Sequence, residues 1–289
     1  MKPERGSWLD LAQQFVGEGI SNLSQLTGGC VGQVYRINFE TGRILVAKVV
    51  ADTDVENLKT EGHTLIYLSE NSFIPVPKVF YNDKGLLLME YILSDTLKNE
   101  EFQIDCARHF VALHKCNSDR YGFEFDTVIG GLRQVNSWRT SWIDFFAESR
   151  IQNMAKLARE AGQLRSKDCG RIQKLCSQLD RWLEEPLKPA LLHGDAWGGN
   201  ILTLRGRLNA VIDPACYYGH PEVELAFTTM FSTFGRKFFE EYERSTPLSP
   251  GFFEERKDLY LIYPILVHLA LFGGAYMDNL DRILRRYGF

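Results

Sequence analysis

Leu191-Leu192-His193-Gly194-Asp195-Ala196-Trp197-Gly198-Gly199-Asn200 is the most informative stretch of the chain. It sets an aspartate two residues after a histidine and an asparagine five residues after that aspartate. Two apolar runs follow, Asn200-Ile201-Leu202-Thr203-Leu204 and Leu208-Asn209-Ala210-Val211-Ile212-Asp213, separated by Arg205-Gly206-Arg207. Short apolar runs around a glycine-bearing tripeptide predict a β-hairpin. A turn centred between Gly206 and Arg207 sets Asn200 opposite Asp213 at its open end. An amide oxygen and a carboxylate converging there, beside Asp195, make a hard-oxygen site suited to Mg2+ with phosphate completing the ligand set. The plainer alternative is a polar hairpin exit with ordinary caps.

A second constellation lies upstream. In Ile44-Leu45-Val46-Ala47-Lys48-Val49-Val50 both alternating faces are apolar, so Lys48 belongs to a buried strand, where an ammonium needs a partner. A helix is predicted after Asp52-Thr53-Asp54, any of which can serve as its N-cap. On it, Leu58, Leu65 and Leu68 mark the inner face, and Glu61 falls among them. Glu61 is therefore the natural partner of Lys48, with Glu56 the second choice and a lysine snorkelling to water the alternative. Thr27-Gly28-Gly29-Cys30-Val31-Gly32-Gln33-Val34-Tyr35 reads as a glycine-rich turn between strands, whose small residues let backbone N–H groups approach a phosphate. It lacks Gly-Lys-[Ser/Thr], which excludes a Walker P-loop.

The 289 residues are 45% apolar with only 10 prolines, enough to bury a large core and to exclude wholesale disorder. Thirty-three basic against 37 acidic residues leave a charge of −4, which argues against a nucleic-acid partner. Six cysteines without a Cys-x-x-Cys pair exclude a zinc ribbon and point to a reducing compartment. Residues 1–20 lack an apolar signal core, and Leu259–Met277, a run of 19 residues without a formal charge, reads as a buried helix because Pro264, Gly273 and Gly274 interrupt it. The expectation is a soluble, cytoplasmic protein with no membrane partner. Before Leu93 the pattern is mostly strand, with hairpin Gln33–Phe39/Arg43–Val50 and strand Leu86–Tyr91. Beyond it, amphipathic stretches cover about 101–116, 139–162, 168–184, 222–244 and 252–285. The fold class is α+β, a small β-rich N-lobe joined near Ile92–Asp95 to a larger helical C-lobe.

The His-x-Asp-x-x-x-x-Asn spacing is the catalytic-loop pattern of protein-kinase-like enzymes, and a strand lysine paired with a helix glutamate is their device for aiming a lysine at nucleotide phosphates. Over nearly its whole length the chain resembles the fructosamine (ketosamine) 3-kinases, relatives of the aminoglycoside phosphotransferases within that fold. The resemblance rests on Gly28-Gly29-Cys30, Tyr121-Gly122-Phe123, Gln134 to Trp138, Trp142, Phe145 to Ile151, the 193–200 loop, Asp213-Pro214-Ala215-Cys216-Tyr217-Tyr218-Gly219-His220, and Leu271 to Gly274. Two positions depart from it. Ala196 stands where the family usually carries a larger apolar residue, and Arg133 where a proline often precedes Gln-x-Asn; both bear on the acceptor pocket.

The resemblance implies a bilobal kinase, with an N-lobe over 1–92 and a C-lobe over 93–289. It implies ATP-dependent, Mg2+-assisted phosphorylation of the 3-hydroxyl of a ketosamine, a ribulosamine or fructosamine adduct of an amine or a protein lysine. The phosphorylated adduct then falls apart and frees the amine. By residue, Asp195 is the base or acceptor-orienting group, and Asn200 and Asp213 bind metal. Lys48, oriented by Glu61, holds phosphates, Gly28, Gly29, Cys30, Val31 and Gly32 cover the nucleotide, and backbone near Met89, Glu90, Tyr91 and Ile92 meets adenine. Trp197, Asn136, Tyr217, Tyr218 and His268 are acceptor-pocket candidates, each of which also suits a core, and His193 is a structural residue bonding backbone near the metal-binding turn. The resemblance adds that a cysteine at position 30 can link two chains, making the protein a monomer or a redox-dependent homodimer; the plainer reading is a small residue chosen for the turn. The alternatives are phosphorylation of another hydroxylated amine, such as an aminoglycoside or a choline-like compound, and a nucleotide-binding pseudokinase scaffold. Residues 126–142 set Asp126 against Arg133 and Arg139, with Trp138 and Trp142, which suits a neutral sugar better than a polycation. All the polar kinase positions are intact, which disfavours the scaffold.

Overall fold

The structure, a computed structural model, describes residues 5–26 and 32–289. Strands β1 (Ile20–Leu26), β2 (Gln33–Phe39), β3 (Ile44–Val49), β4 (Val79–Asp83) and β5 (Leu86–Glu90) form one antiparallel sheet in the order β1-β2-β3-β5-β4. The two apolar faces of β3 have separate destinations. Leu45, Ala47 and Val49 join Tyr35, Ile37 and Phe39 of β2 and Trp8 and Ala12 of helix α1 (Arg5–Val16). Val46 and Val50 pack instead with Leu58 and Leu65 of helix α2 (Val55–Asn71) and with Leu87 and Met89 of β5. The sheet is thus covered by a helix on each side, and its central strand has no face for water. Helix α1 was not anticipated, because its apolar positions are spread through a polar sequence. Asp54 occupies the N-cap position of α2 but makes no side-chain capping bond.

The chain divides into two compact units: residues up to Phe102 with Gly199–Pro214, and Gln103–Gly198 with Ala215–Phe289. The sequence placed the join at Ile92–Asp95 and the hairpin with the helical part. Hydrogen bonds explain the observed grouping. Asp95 N–H donates to Thr203 O at 2.7 Å and its carboxylate accepts from Arg205 N–H at 2.7 Å, while Asn209 Nδ2 donates to Leu93 O and Val211 N–H to Pro75 O.

The second unit is helical. Helix α3 (Glu100–His114) enters it, α4 (Trp142–Phe145) runs through a π-helical segment, Phe146–Gln152, into α5 (Asn153–Glu160), and α6 (Ser166–Cys176) follows. After the 193–200 loop and the hairpin come α7 (Pro221–Met230), α8 (Arg236–Ser245), α9 (Lys257–Phe272) and α10 (Met277–Arg286). Helix α9 is the core element, buried without a break from Asp258 to Val267 despite its internal Pro264. It ends at Gly273, whose φ of 82° an L side chain rarely adopts, so the apolar run 259–277 is divided between two helices. Among the described residues, no helix is long and apolar enough to cross a membrane. Two short ladders were not anticipated: Thr127–Ile129 with Leu132–Gln134, and Ala190–Leu192 with Tyr217–Gly219. The second fixes both ends of the segment that carries Asp195.

Candidate active site

Lys48 lies on the α2-facing side of β3 between Val46 and Val50, only 4% exposed. Its Nζ is 2.6 Å from Glu61 Oε2 and 3.3 Å from Asp213 Oδ1, so α2 supplies the first partner and the hairpin exit the second; Glu56 is not used. Burial works against the lysine's charge, but Glu61 and then Asp213 outweigh it and raise its pKa well above the ordinary value. Burial pushes Glu61 the other way for an acid, up to about 7, against the pull of Lys48. Lys48 is thus a fixed charge shared between two carboxylates. Glu61 Oε1 is buried without a hydrogen-bond partner. The neighbouring Gly62 explains how β4 comes so close to α2. A Cβ there would sit 2.4 Å from the Asn82 amide, whose Nδ2 donates to Lys59 O.

The hairpin differs from expectation by one residue, and its geometry supplies the reason. Leu204 pairs with Arg207, so the turn is Arg205-Gly206, with φ of 53° and 70°, the left-handed pair of a two-residue hairpin loop. A bulge at Asn209 then shifts the register back by one, and Asn200 O accepts from Ile212 N–H at 3.0 Å. Asn200 therefore lies opposite Ile212, and Asp213 is the next residue. Asp213 adopts φ 52°, which turns the chain at the point where its carboxylate meets Lys48. That carboxylate is 31% exposed and Asn200 is buried. Among the described residues no group of three or more His, Cys, Asp or Glu gathers as a closed metal cage. One carboxylate and one amide fit the other kind of site, a Mg2+ that keeps waters and takes phosphate oxygens.

The loop bearing Asp195 is held from beneath by a residue that sequence reasoning missed. Glu224, on α7, accepts from Gly194 N–H at 2.6 Å and His193 N–H at 3.2 Å, and its Oε2 lies 2.9 Å from His114 Nε2. His114 Nδ1 contacts the Tyr242 hydroxyl at 2.7 Å. Burial alone would raise the Glu224 pKa, but these donors more than compensate and lower it. The available signal was a glutamate in the apolar run Val223–Phe227. His193 is structural, as expected: its Nδ1 accepts from Asp195 N–H at 3.3 Å and its carbonyl from Ala215 N–H at 2.8 Å. Gly194 has φ 84°, and a Cβ there would meet Ala215 O at 2.0 Å, so only glycine fits. Asp195 is half-buried, Ala196 is buried, and Trp197 is 38% exposed against Phe231.

The remaining candidates fall into distinct settings. Asn136 is buried with its polar atoms spent on the protein: Nδ2 on Phe125 O and Thr127 Oγ1, Oδ1 on Arg150 Nη2 at 2.6 Å. Tyr217 is buried under the Arg150 guanidinium, 3.8 Å from its ring centroid. Arg150 is itself fully buried, which the amphipathic pattern of residues 139–162 does not reveal. Tyr218 is buried and stacks near Trp138 and Phe123, whereas His268 is half-buried among aromatics. Arg133 is exposed and pairs with Asp126. Met89 faces α2, Glu90 ends β5 opposite Leu45, and Tyr91, with Arg36 over its ring at 4.6 Å, and Ile92 lie past the ladder. Gly28, Gly29, Cys30 and Val31 lie outside the described residues. Gly32 has φ 82°, and a Cβ would meet Val49 O at 2.7 Å.

A family model for fructosamine kinase matches residues 8–287. The chain belongs to the fructosamine kinase family. A Vibrio parahaemolyticus protein named as a ketoamine kinase is 34% identical over 266 residues, covering 90% of each chain. The chloroplastic protein-ribulosamine 3-kinase of Arabidopsis thaliana is 30% identical over 278 residues, 93% of this chain and 83% of that one. A crystal structure from Haemophilus somnus, named as a fructosamine-3-kinase, superposes with a TM-score of 0.86 at 26% identity and covers 98% of this chain and 97% of its own. Aminoglycoside phosphotransferases share the fold alone. As a member of the fructosamine kinase family with this protein-kinase-like fold, the protein is an ATP-dependent phosphotransferase.

Proposed function

We propose that the protein transfers the γ-phosphoryl group of ATP to the 3-hydroxyl of a ketosamine, a ribulosamine or fructosamine adduct of an amine or a lysine side chain, in the cytoplasm. The observation that carries the reading is the buried Lys48–Glu61 pair at 2.6 Å, with Asp213 3.3 Å from the same ammonium, an arrangement whose polar groups are costly to bury without a use. Lys48 holds phosphate oxygens, and Glu61 fixes its direction. Asn200 and Asp213 are the residues that would hold Mg2+, which when bound offsets phosphate charge. Asp195, kept in place by Glu224 through the backbone of His193 and Gly194, takes or orients the proton of the attacking hydroxyl. The donated phosphate leaves a 3-phosphoketosamine, which breaks down and releases the amine, so the reaction reverses glycation. The ketosamine as acceptor follows from the family and its named relatives. An assay of ADP release with ribulosamines, fructosamines and aminoglycosides tests it. Turnover on the ketosamines supports the reading; turnover on aminoglycosides alone overturns it.

A further inference from the structure

Two residues beyond Asp195, Trp197 opens a chain of aromatic contacts that no catalytic step uses. Its ring lies 5.8 Å from Phe231, Phe231 lies 5.1 Å from His268, and His268 lies 5.6 Å from Phe272 and 5.0 Å from Tyr276. Trp197, Phe231 and Phe272 are 38, 41 and 57% exposed, so solvent-facing rings surround a half-buried imidazole. Helix α9 carries both His268 and Tyr263, and the Tyr263 phenol, raised first by burial, is raised further by the charge of Asp195.

The histidine gives the cluster its chemistry. His268 Nδ1 lies 2.7 Å from Pro264 O, a carbonyl that can only accept, so Nδ1 carries the proton. Burial lowers the ring's pKa and keeps it neutral, with the bond to Pro264 O pulling weakly the other way. Nε2 then presents a lone pair, and among the described residues it has no hydrogen-bond partner. Ring faces attract a cation, and a neutral imidazole nitrogen accepts an N–H; together they suit an alkylammonium that still carries protons.

We infer that Phe231, His268, Phe272 and Tyr276 form a subsite for the ammonium of the acceptor, the amine that carries the sugar, with Trp197 joining it to the reacting hydroxyl. The inference rests on the ketosamine reading, in which three carbons separate the secondary amine from the 3-hydroxyl, so a protonated nitrogen enters the site together with the hydroxyl that Asp195 meets. It makes the cluster a specificity element that selects the amine rather than the sugar.

The test compares kcat/KM for an N-alkyl fructosamine with that for its N-acetylated counterpart, which keeps the sugar and loses the charge. The wild type should prefer the amine. Phe272→Leu keeps apolar volume and removes a ring face, and His268→Phe keeps the ring and removes the acceptor. Each should lower the preference about three- to tenfold, and Phe272→Tyr should retain it. Loss of efficiency on both adducts alike would make the cluster an apolar contact and overturn the inference, as would an unchanged preference. A wild type that phosphorylates both adducts equally refutes the subsite alone. One that phosphorylates neither refutes the function proposed above, and the subsite with it.

Discussion

Replacing Glu224 by Gln tests whether the catalytic loop depends on an acceptor beneath it. The carboxylate serves three donors: Gly194 N–H on Oε1, and His193 N–H with His114 Nε2 on Oε2. An amide has one oxygen, so in either orientation its NH2 faces at least one donor at 2.6–3.2 Å. A buried bond to a charged group contributes about 1.5–3 kcal/mol, and a stranded buried donor costs a similar amount. The loss should be about 3 kcal/mol, lowering Tm by roughly 6–12 °C for a unit of this size. The chemical effect is larger. A loop displacement on the order of 1 Å at Asp195 lowers kcat about 100-fold. KM for ATP should hold, because Lys48, Glu61 and Asp213 are fixed by α2, β3 and the hairpin within the other unit. Calorimetry and initial-rate kinetics with varied ATP read both quantities. A kcat within twofold of wild type would show that the loop keeps its shape without the anchor. Equal damage to kcat and KM for ATP would show general unfolding and refute the reasoning.

Glu61, with its pKa raised to about 7, contributes most to stability below pH 4.5 and loses that contribution as pH rises through about 7. The stability difference between wild type and Glu61→Gln should therefore shrink over that window by at most about 3 kcal/mol, while kcat/KM for ATP rises as the ion pair with Lys48 forms; Tm and rate against pH check both, and the variant should show neither limb. Gly62→Ala sets a Cβ 2.4 Å from the Asn82 amide and should cost about 1–3 kcal/mol and weaken ATP affinity, with Asn82→Ala restoring much of both in a double-mutant cycle. Asp213→Ala should remove most of the Mg2+ dependence of ATP binding in titration calorimetry, and unchanged dependence would remove Asp213 from the metal site.

Local pattern carried the Lys48–Glu61 pairing well. Two apolar faces on one strand are enough to bury Lys48, and a glutamate inside an apolar helix stripe is enough to pair with it. The hairpin shows where pattern stops. Its apolar runs are visible, but the left-handed pair Arg205-Gly206 and the bulge at Asn209 follow from backbone twist and from the tie between Asp95 and Arg205, 110 residues apart. Asn136 and Tyr217 show the limit more sharply. Their exposure depends on Arg150, and a buried arginine held by rings and carbonyls leaves no periodic trace. Glu224 shows it again, because its donors come from α3 and from the loop after Leu192.

The central claim is settled by the phosphorus and proton NMR spectrum of the product formed from ATP and a fructosamine, run beside Asp195→Asn. The account predicts phosphate on the sugar's third oxygen, followed by release of the free amine. It predicts little or no product from Asp195→Asn while that variant still binds Mg2+-ATP. Phosphate on any other position, or near wild-type turnover by Asp195→Asn, would contradict it.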